Sequence, residues 1–397
     1  MTKGIAVTGM GIVSALGLGI DKNLKALTAG KSGISNPTIL KTRHSSLPVG
    51  EIELKDLELA DRLKLPSNHS FTRGALLGSI AAKEALQQAG ISKEDLIATG
   101  FISATSVGGM DYIEKYSNNF EKEETHRRFI RAQHPGFTTG QMATWLGLKG
   151  YTTTISTACS SSANAIMLGA RMIRSGQLKR VVVGGTDPLS RFTLNGFKSL
   201  MILSSEACKP FDEHRSGLNL GEGAAYLVLE AEECLGEKKV LGRISGYGNA
   251  NDAFHQTASS ETGEGAFLAI NRALKTAGLS PDSIDYINAH GTATQNNDLS
   301  EGRALRRIFG DSLPDMNSTK TYTGHTLAAA GALEAVFSLL SLQQQKIFPG
   351  LNFNDPMPET DITPVTTLKE KNLQHILSNS FGFGGNCTSL IFSNNGE

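Results

Sequence analysis

Residues 81–96 read AAKEALQQAGISKEDL and residues 269–284 read AINRALKTAGLSPDSI, and the two stretches align without a gap. Ala81 matches Ala269, Ala85 matches Ala273, Leu86 matches Leu274, Ala89 matches Ala277, Gly90 matches Gly278 and Ser92 matches Ser280. Each copy reads as a helix of small residues closed by a glycine, the residue that best tolerates the left-handed turn at a helix end. Each is followed by a short linker and a strand-like run. Two Ala-rich helices can share caps by coincidence, but the shared order of flanking elements points to a duplicated α/β unit. The halves meet near residue 236, in the charged, turn-like EECLGEKK of residues 232–239, dividing the chain into 1–235 and 236–397.

Outward from the repeat, short β-rich runs alternate with helical runs along the chain, the pattern of an α/β protein. Strands are expected at 4–9, 99–104, 152–156, 180–184, 240–247, 286–289, 375–381 and 388–392. Helices are expected at 71–89, 160–175, 265–277, 299–308 and 327–343. With 397 residues, 39% of them hydrophobic and 19% charged, the composition is that of a soluble globular protein with a large core. The formal net charge of +0 argues against nucleic acid or an anionic membrane as main partner. No run approaches the roughly 18 uninterrupted apolar residues of a membrane span. MTKGIAV leads straight into a strand without the apolar stretch of an export signal. Cys159, Cys208, Cys234 and Cys387 show no CxxC pairing, so zinc and disulfide frameworks are not expected and a reduced cytoplasm fits best.

Four segments carry candidate chemistry. STACSSS (156–162) follows a strand and opens a helix of small and apolar residues, placing Cys159 at a helix N-terminus. There the helix dipole and free N–H groups favour thiolate and can hold an oxyanion. The plainer reading is a small core thiol, which is the reading for the other three cysteines. His290 stands at a strand end in His-Gly-Thr-Ala-Thr, where Gly291 leaves room for a ligand chain and Thr292 and Thr294 offer hydroxyls. In STKTYTGHTLAAAGALEA (318–335), His325 enters the helix that contains Glu334, and Lys320 lies five residues before it. His325 is expected to be a neutral imidazole donor. A structural histidine, a cap and a solvated Lys–Glu pair are the competing readings. NSFGFGGNC (379–387) supplies a turn of backbone N–H groups around Phe383. One thiol, two histidines and a donor loop together suit thioester chemistry with carbanion formation.

With VTGMGIVSALG (7–17), KPFDEHRSGLNLGEGAAYLVLE (209–230) and NAHGTATQNND (288–298), these segments fall in an order that resembles the elongating β-ketoacyl-[acyl-carrier-protein] synthases. The resemblance spans essentially the whole chain. It implies a thiolase fold, five layers αβαβα built from two related halves, and a homodimer. It implies Cys159 as the acyl-accepting nucleophile, and His290 and His325 as the pair that promotes malonyl decarboxylation and stabilises the enolate. Lys320 and Glu334 match a supporting pair, and Phe383 a gate whose N–H joins that of Cys159 in the oxyanion hole. Thr292 and Thr294 match pantetheine contacts, and Val107, Thr193, Phe197 and Phe381 match substrate-lining positions. No metal or redox cofactor is implied, because substrates ride on the phosphopantetheine of an acyl carrier protein. That acidic partner is expected to dock on Arg127 and Arg128, with Arg131, or on Arg62 and Lys64, although each group also reads as a solvated face.

The departures cluster around the acyl route. RDGF is replaced by Arg215-Ser216-Gly217-Leu218, the 200–209 segment is short, and GFGGTN is replaced by GFGGNC. Thr193 stands where glycine is common, and is expected to narrow the tunnel against long saturated chains. Chain length and pathway stay open between fatty acid and specialised polyene or polyketide synthesis. A thiolase would need a second catalytic cysteine, and initiating synthases carry Asn in place of His325. A non-catalytic chain-length partner of a ketosynthase heterodimer would lack Cys159.

Overall fold

The strand-like run at the N-terminus is longer than its sequence suggests, and two glycines explain why. In the computed structural model, which describes residues 4–394, β1 covers Ile5–Ser14 and passes through Gly9 and Gly11 without ending. Both glycines lie under the helix α1 (Arg73–Gln88). A Cβ at Gly9 would come within 2.2 Å of the Ala85 carbonyl oxygen, and one at Gly11 within 2.0 Å of the Ala81 carbonyl oxygen. The second half repeats the contact between β6 (Gly242–Asn251) and α4 (Glu264–Ala277). There Gly246 faces Ala273 and Gly248 faces Ala269, with virtual Cβ distances to the carbonyl oxygens of 2.4 and 2.1 Å. The alanines of the internal repeat are thus the residues that let a helix backbone touch a strand backbone.

The other strands of three residues or more are β2 (Gly100–Ala104), β3 (Thr152–Ile155), β4 (Arg180–Asp187) and β5 (Gly223–Glu230) in the first half. The second half adds β7 (Tyr286–Asn288), β8 (Asp315–Asn317), β9 (His375–Phe381) and β10 (Asn386–Ser393). The spatial order is β3-β2-β4-β5-β1 in one half and β8-β7-β9-β10-β6 in the other, the same sequence shifted by five. Directions repeat too. The contacts β2–β3 and β2–β4, like β7–β8 and β7–β9, are parallel, and the remaining neighbours in each half are antiparallel. β1 and β6 pair antiparallel through Ile5–Ile244, Ala6–Arg243 and Val7–Gly242, joining the two sheets at their edges.

Strands β5 and β8 were not expected as strands. All eight residues of β5 are buried, so it shows no in–out alternation, as befits a strand covered on both faces. β8 is only three residues long.

Helices α2 (Ser161–Arg174) and α6 (Ala330–Gln344) lie between the sheets, with α1 outside the first and α4 and α5 (Gln295–Phe309) outside the second. This is the five-layer thiolase fold. α5 begins four residues before the position expected from sequence, at Gln295. Thirteen consecutive residues of α6, Ala330 to Leu342, are buried. A helix enclosed on all sides is apolar on all sides. That is why Leu327–Gln344 is long and apolar enough to cross a membrane while forming the molecule's centre. α2 and α6 meet closely at Gly331, where a Cβ would lie 2.9 Å from the Cβ of Ala163.

Candidate active site

The candidate residues leave from the C-terminal ends of parallel strands, where open α/β sheets place their ligands. Cys159 follows β3, His290 follows β7, Lys320 and His325 follow β8, and Phe383 follows β9. Ala158, immediately before the thiol, has φ of +52°, an uncommon conformation for a residue with a Cβ. The sharp turn is locked by Ser161, whose hydroxyl accepts from the Thr157 N–H at 2.8 Å and donates to the Ala158 carbonyl at 2.5 Å. Helix α2 starts two residues after Cys159, with Ser160 as its cap.

Cys159 is 6% exposed and opens onto a cavity of about 480 Å³. His290, His325, Thr292, Thr294, Phe197, Phe381 and Phe383 line the same cavity. The backbone N–H of Phe383 faces the Cys159 sulfur and pulls its pKa down. Gly382 permits this approach, since a Cβ there would stand 2.8 Å from the Thr157 oxygen. Phe383 itself stacks on Phe197 of α3 (Arg191–Ser199), ring centroids 5.8 Å apart.

The expected thiolate is not the resting state. Burial pushes the Cys159 thiol up to about 11, against the pull of Lys320 and of the Phe383 N–H. Both imidazoles are held well below the usual histidine value by burial first and by Lys320 second, so they are neutral donors at pH 7. Their rings meet edge to face at 5.4 Å. Lys320 Nζ donates to the His290 carbonyl at 2.5 Å and lies 3.2 Å from its Nδ1. An ammonium has only donors, so Nδ1 is the acceptor and Nε2 carries the proton. His325 Nδ1 is buried without a partner, which leaves Nε2 as its nitrogen facing the cavity.

Lys320 pairs with Glu334 in full burial, so the pair is not solvated. Burial pushes the Glu334 carboxyl up while Lys320 opposes the shift. Thr292 and Thr294 share a hydroxyl–hydroxyl contact of 2.9 Å at the cavity wall.

Two expected lining residues are not among those that line this cavity. Ser190 caps α3, its Oγ accepting from the Thr193 N–H at 3.1 Å, and Thr193 Oγ1 donates to the Ser190 carbonyl at 3.0 Å. A hydroxyl so engaged is not presented to this cavity, and neither is Val107, which packs with Leu189 and Leu194 in the neighbouring apolar cluster. Arg62, Lys64, Arg127, Arg128 and Arg131 are exposed on the surface. Arg128 donates to the Asn68 carbonyl at 3.0 Å, tying the two basic segments together.

Several participants escaped the sequence. Glu301 on α5 accepts from the His290 and Gly291 N–H groups, both at 2.9 Å, and burial pushes its carboxyl up to about 7. Asp187 accepts from Thr105, from Ser106 and, at 2.9 Å, from the Ala328 N–H, so it anchors the turn after His325. The segment containing Asp252, His255 and Ser259 lines the cavity beside the glycine loop, the Gln256 carbonyl accepting from the Gly384 N–H at 2.7 Å. For Glu301 the hint was positional, on the helix that directly follows the His-Gly-Thr run, and for Asp187 and the 252–259 segment there was none. Cys387 is buried as expected of a core thiol but reaches the cavity wall.

Residues 2–234 match the family model for the beta-ketoacyl synthase N-terminal domain, and residues 241–354 match the model for its C-terminal domain. The chain is 32% identical to 3-oxoacyl-[acyl-carrier-protein] synthase 2 of Staphylococcus aureus (strain N315), covering 98% of each. It is 35% identical to the protein of the same name in Rhizobium meliloti (strain 1021), again over 98% of each. Among solved structures, the ishigamide ketosynthase/chain length factor superposes with a TM-score of 0.92 at 28% identity, over 99% of this chain and 100% of that one. A type II PKS acyl-carrier protein in complex with its ketosynthase bound to the hexaketide gives 0.86 at 26%, with the same coverage.

Proposed function

Because the chain belongs to the β-ketoacyl synthase family, we propose that it is a 3-oxoacyl-[acyl-carrier-protein] synthase with Cys159 as its acyl carrier. The observation that carries the assignment is the convergence of Cys159, His290 and His325 on one cavity, with the Phe383 N–H on the thiol.

The acyl group passes from a carrier-protein thioester to the Cys159 sulfur, and the released carrier thiol takes the proton. The buried thiol is protonated at rest, so its charge develops only during attack, under the Phe383 N–H and near Lys320. Malonyl carrier protein then enters, and its thioester carbonyl accepts from Nε2–H of His290 and of His325. Loss of CO2 leaves electrons on that carbonyl oxygen as an enolate, which two fixed donors in a dry site stabilise. The enolate carbon attacks the Cys159 thioester. The tetrahedral oxyanion sits on the N–H groups of Cys159 and Phe383 and collapses, expelling the thiolate, which recovers a proton. The product is a 3-oxoacyl carrier protein two carbons longer.

No metal or redox cofactor enters any of these steps, since electrophile, carbanion and leaving CO2 all come from the substrates. The acyl carrier protein is the partner. A second copy, or a related chain-length subunit as in the ishigamide pair, completes the assembly, and the cytoplasm is the proposed compartment.

Incubation with acyl and malonyl carrier proteins should yield the 3-oxoacyl product and a Cys159-bound acyl group detectable by peptide mass. Cys159→Ser should abolish both. Cys159→Gln should keep decarboxylation, its neutral amide standing in for the acylated thiol. A Cys159→Ser protein that condenses at near wild-type rate would sink the assignment.

A further inference from the structure

The change from GFGGTN to GFGGNC puts Asn386 directly after the glycine turn, and the proposed reaction gives it no role. Its surroundings do. Asn386 Oδ1 accepts from Ser160 Oγ at 2.8 Å, Asn164 Nδ2 at 2.8 Å and Asn249 Nδ2 at 2.9 Å. Asn164 Oδ1 in turn accepts from Thr388 Oγ1 at 2.8 Å and Asn249 Nδ2 at 3.1 Å, which orients the amides. Asn164 also donates to Thr157 Oγ1 at 2.9 Å. On its main-chain side, the Asn386 carbonyl accepts from the Gly382 N–H at 2.8 Å and closes the loop that presents Phe383.

One residue therefore holds two loops. Ser160 adjoins Cys159, and Gly382 adjoins Phe383. We propose that Asn386 is a positioning residue that fastens the nucleophile turn to the glycine loop, keeping the Phe383 N–H in register with the Cys159 sulfur. An oxygen surrounded by donors is required at this point, and removing it takes one acceptor each from Ser160, Asn164 and Asn249. A threonine is one atom shorter and could not collect donors from α2, β6 and the Cys159 turn together. The inference rests on the synthase reading only for the roles of Cys159 and Phe383.

The test compares Asn386→Leu, close in shape but without an acceptor, with Asn386→Asp, which keeps the oxygen. Urea unfolding first establishes that each is folded. Iodoacetamide alkylation of Cys159, followed by peptide mass between pH 8 and 10, reads the thiol's surroundings without any carrier protein. Asn386→Leu is expected to slow it about fivefold, the worth of one hydrogen bond. Its kcat for condensation should fall about tenfold to a hundredfold, with KM for carrier-bound substrates little changed, as misplacement rather than lost binding predicts. Asn386→Asp is expected to recover most of that turnover.

A folded Asn386→Leu protein with wild-type alkylation and kcat overturns the proposal, as does an equal loss in the Leu and Asp variants. Should Asn386→Leu fail to fold, Ser160→Ala, which removes the link from the turn side, must show the slowed alkylation, and unchanged alkylation there overturns it. If the wild type does not condense at all, the synthase reading fails and the alkylation rates alone decide the positioning claim.

Discussion

At the scale of the residue, burial keeps the Cys159 thiol and the two imidazoles neutral. His290 and His325 are buried beside an ammonium, and both effects disfavour the imidazolium. Since their folded-state values are depressed below 6.5, the neutral form is complete above that pH and is lost only well into acid. Decarboxylation by the Cys159→Gln protein should accordingly be flat from pH 6.5 to 8, and a midpoint within that range would contradict the neutral pair. His290→Ala and His325→Ala should each lower decarboxylation by about 10²–10³, the usual cost of losing an oxyanion donor. Transfer of an acyl group to Cys159 should partly survive in both. The opposite division, with acylation lost and decarboxylation intact, would refute their assignment. The identities of these three residues were legible from motif and resemblance. The state of the thiol was not, because burial outweighs the helix N-terminus and depends on what packs over the sulfur.

At the scale of the element, helix and strand approach until only glycine fits between them. A methyl group on Gly11 or Gly248 would lie about half a normal contact distance from a helix carbonyl, 2.0 and 2.1 Å respectively, so backbone must shift to admit it. Gly11→Ala and Gly248→Ala are each expected to cost at least the roughly 1–3 kcal/mol typical of overpacking, read as a lower urea midpoint at unchanged slope. Gly90→Ala, with nothing within 4 Å and φ of +60°, should cost only the backbone strain of about 1–2 kcal/mol. If all three variants unfold alike, close approach is not what the repeat encodes. The matched alanines were visible in the sequence, whereas their partners Gly9, Gly11, Gly246 and Gly248 looked like strand ends. Thr193 shows the same limit, since the bond of its hydroxyl to the Ser190 carbonyl at the start of α3 was not visible from its place in the chain.

At the scale of the whole molecule, the arginines and the lysine expected to dock a carrier protein are all exposed. The Arg128–Asn68 bond brings the segment of Arg127 and Arg131 against the one that carries Arg62 and Lys64. Exposed charges of this kind act on association and fade with salt. Arg127→Glu with Arg128→Glu should raise the apparent KM for carrier-bound substrate, more at low salt, and leave turnover of a small pantetheine thioester unchanged. Equal effects on both substrates would remove this surface from the docking route. From sequence alone came the α/β class, the duplication and the candidate roles of Cys159, His290 and His325, because helix caps, strand ends and ordered motifs are local and survive in one dimension. Tertiary structure alone decided the shared strand order, the buried Lys320–Glu334 pair and the tautomer that it sets on His290. It also decided the protonated resting thiol and the junction at Asn386, which depend on dielectric and on contacts between residues up to 226 positions apart.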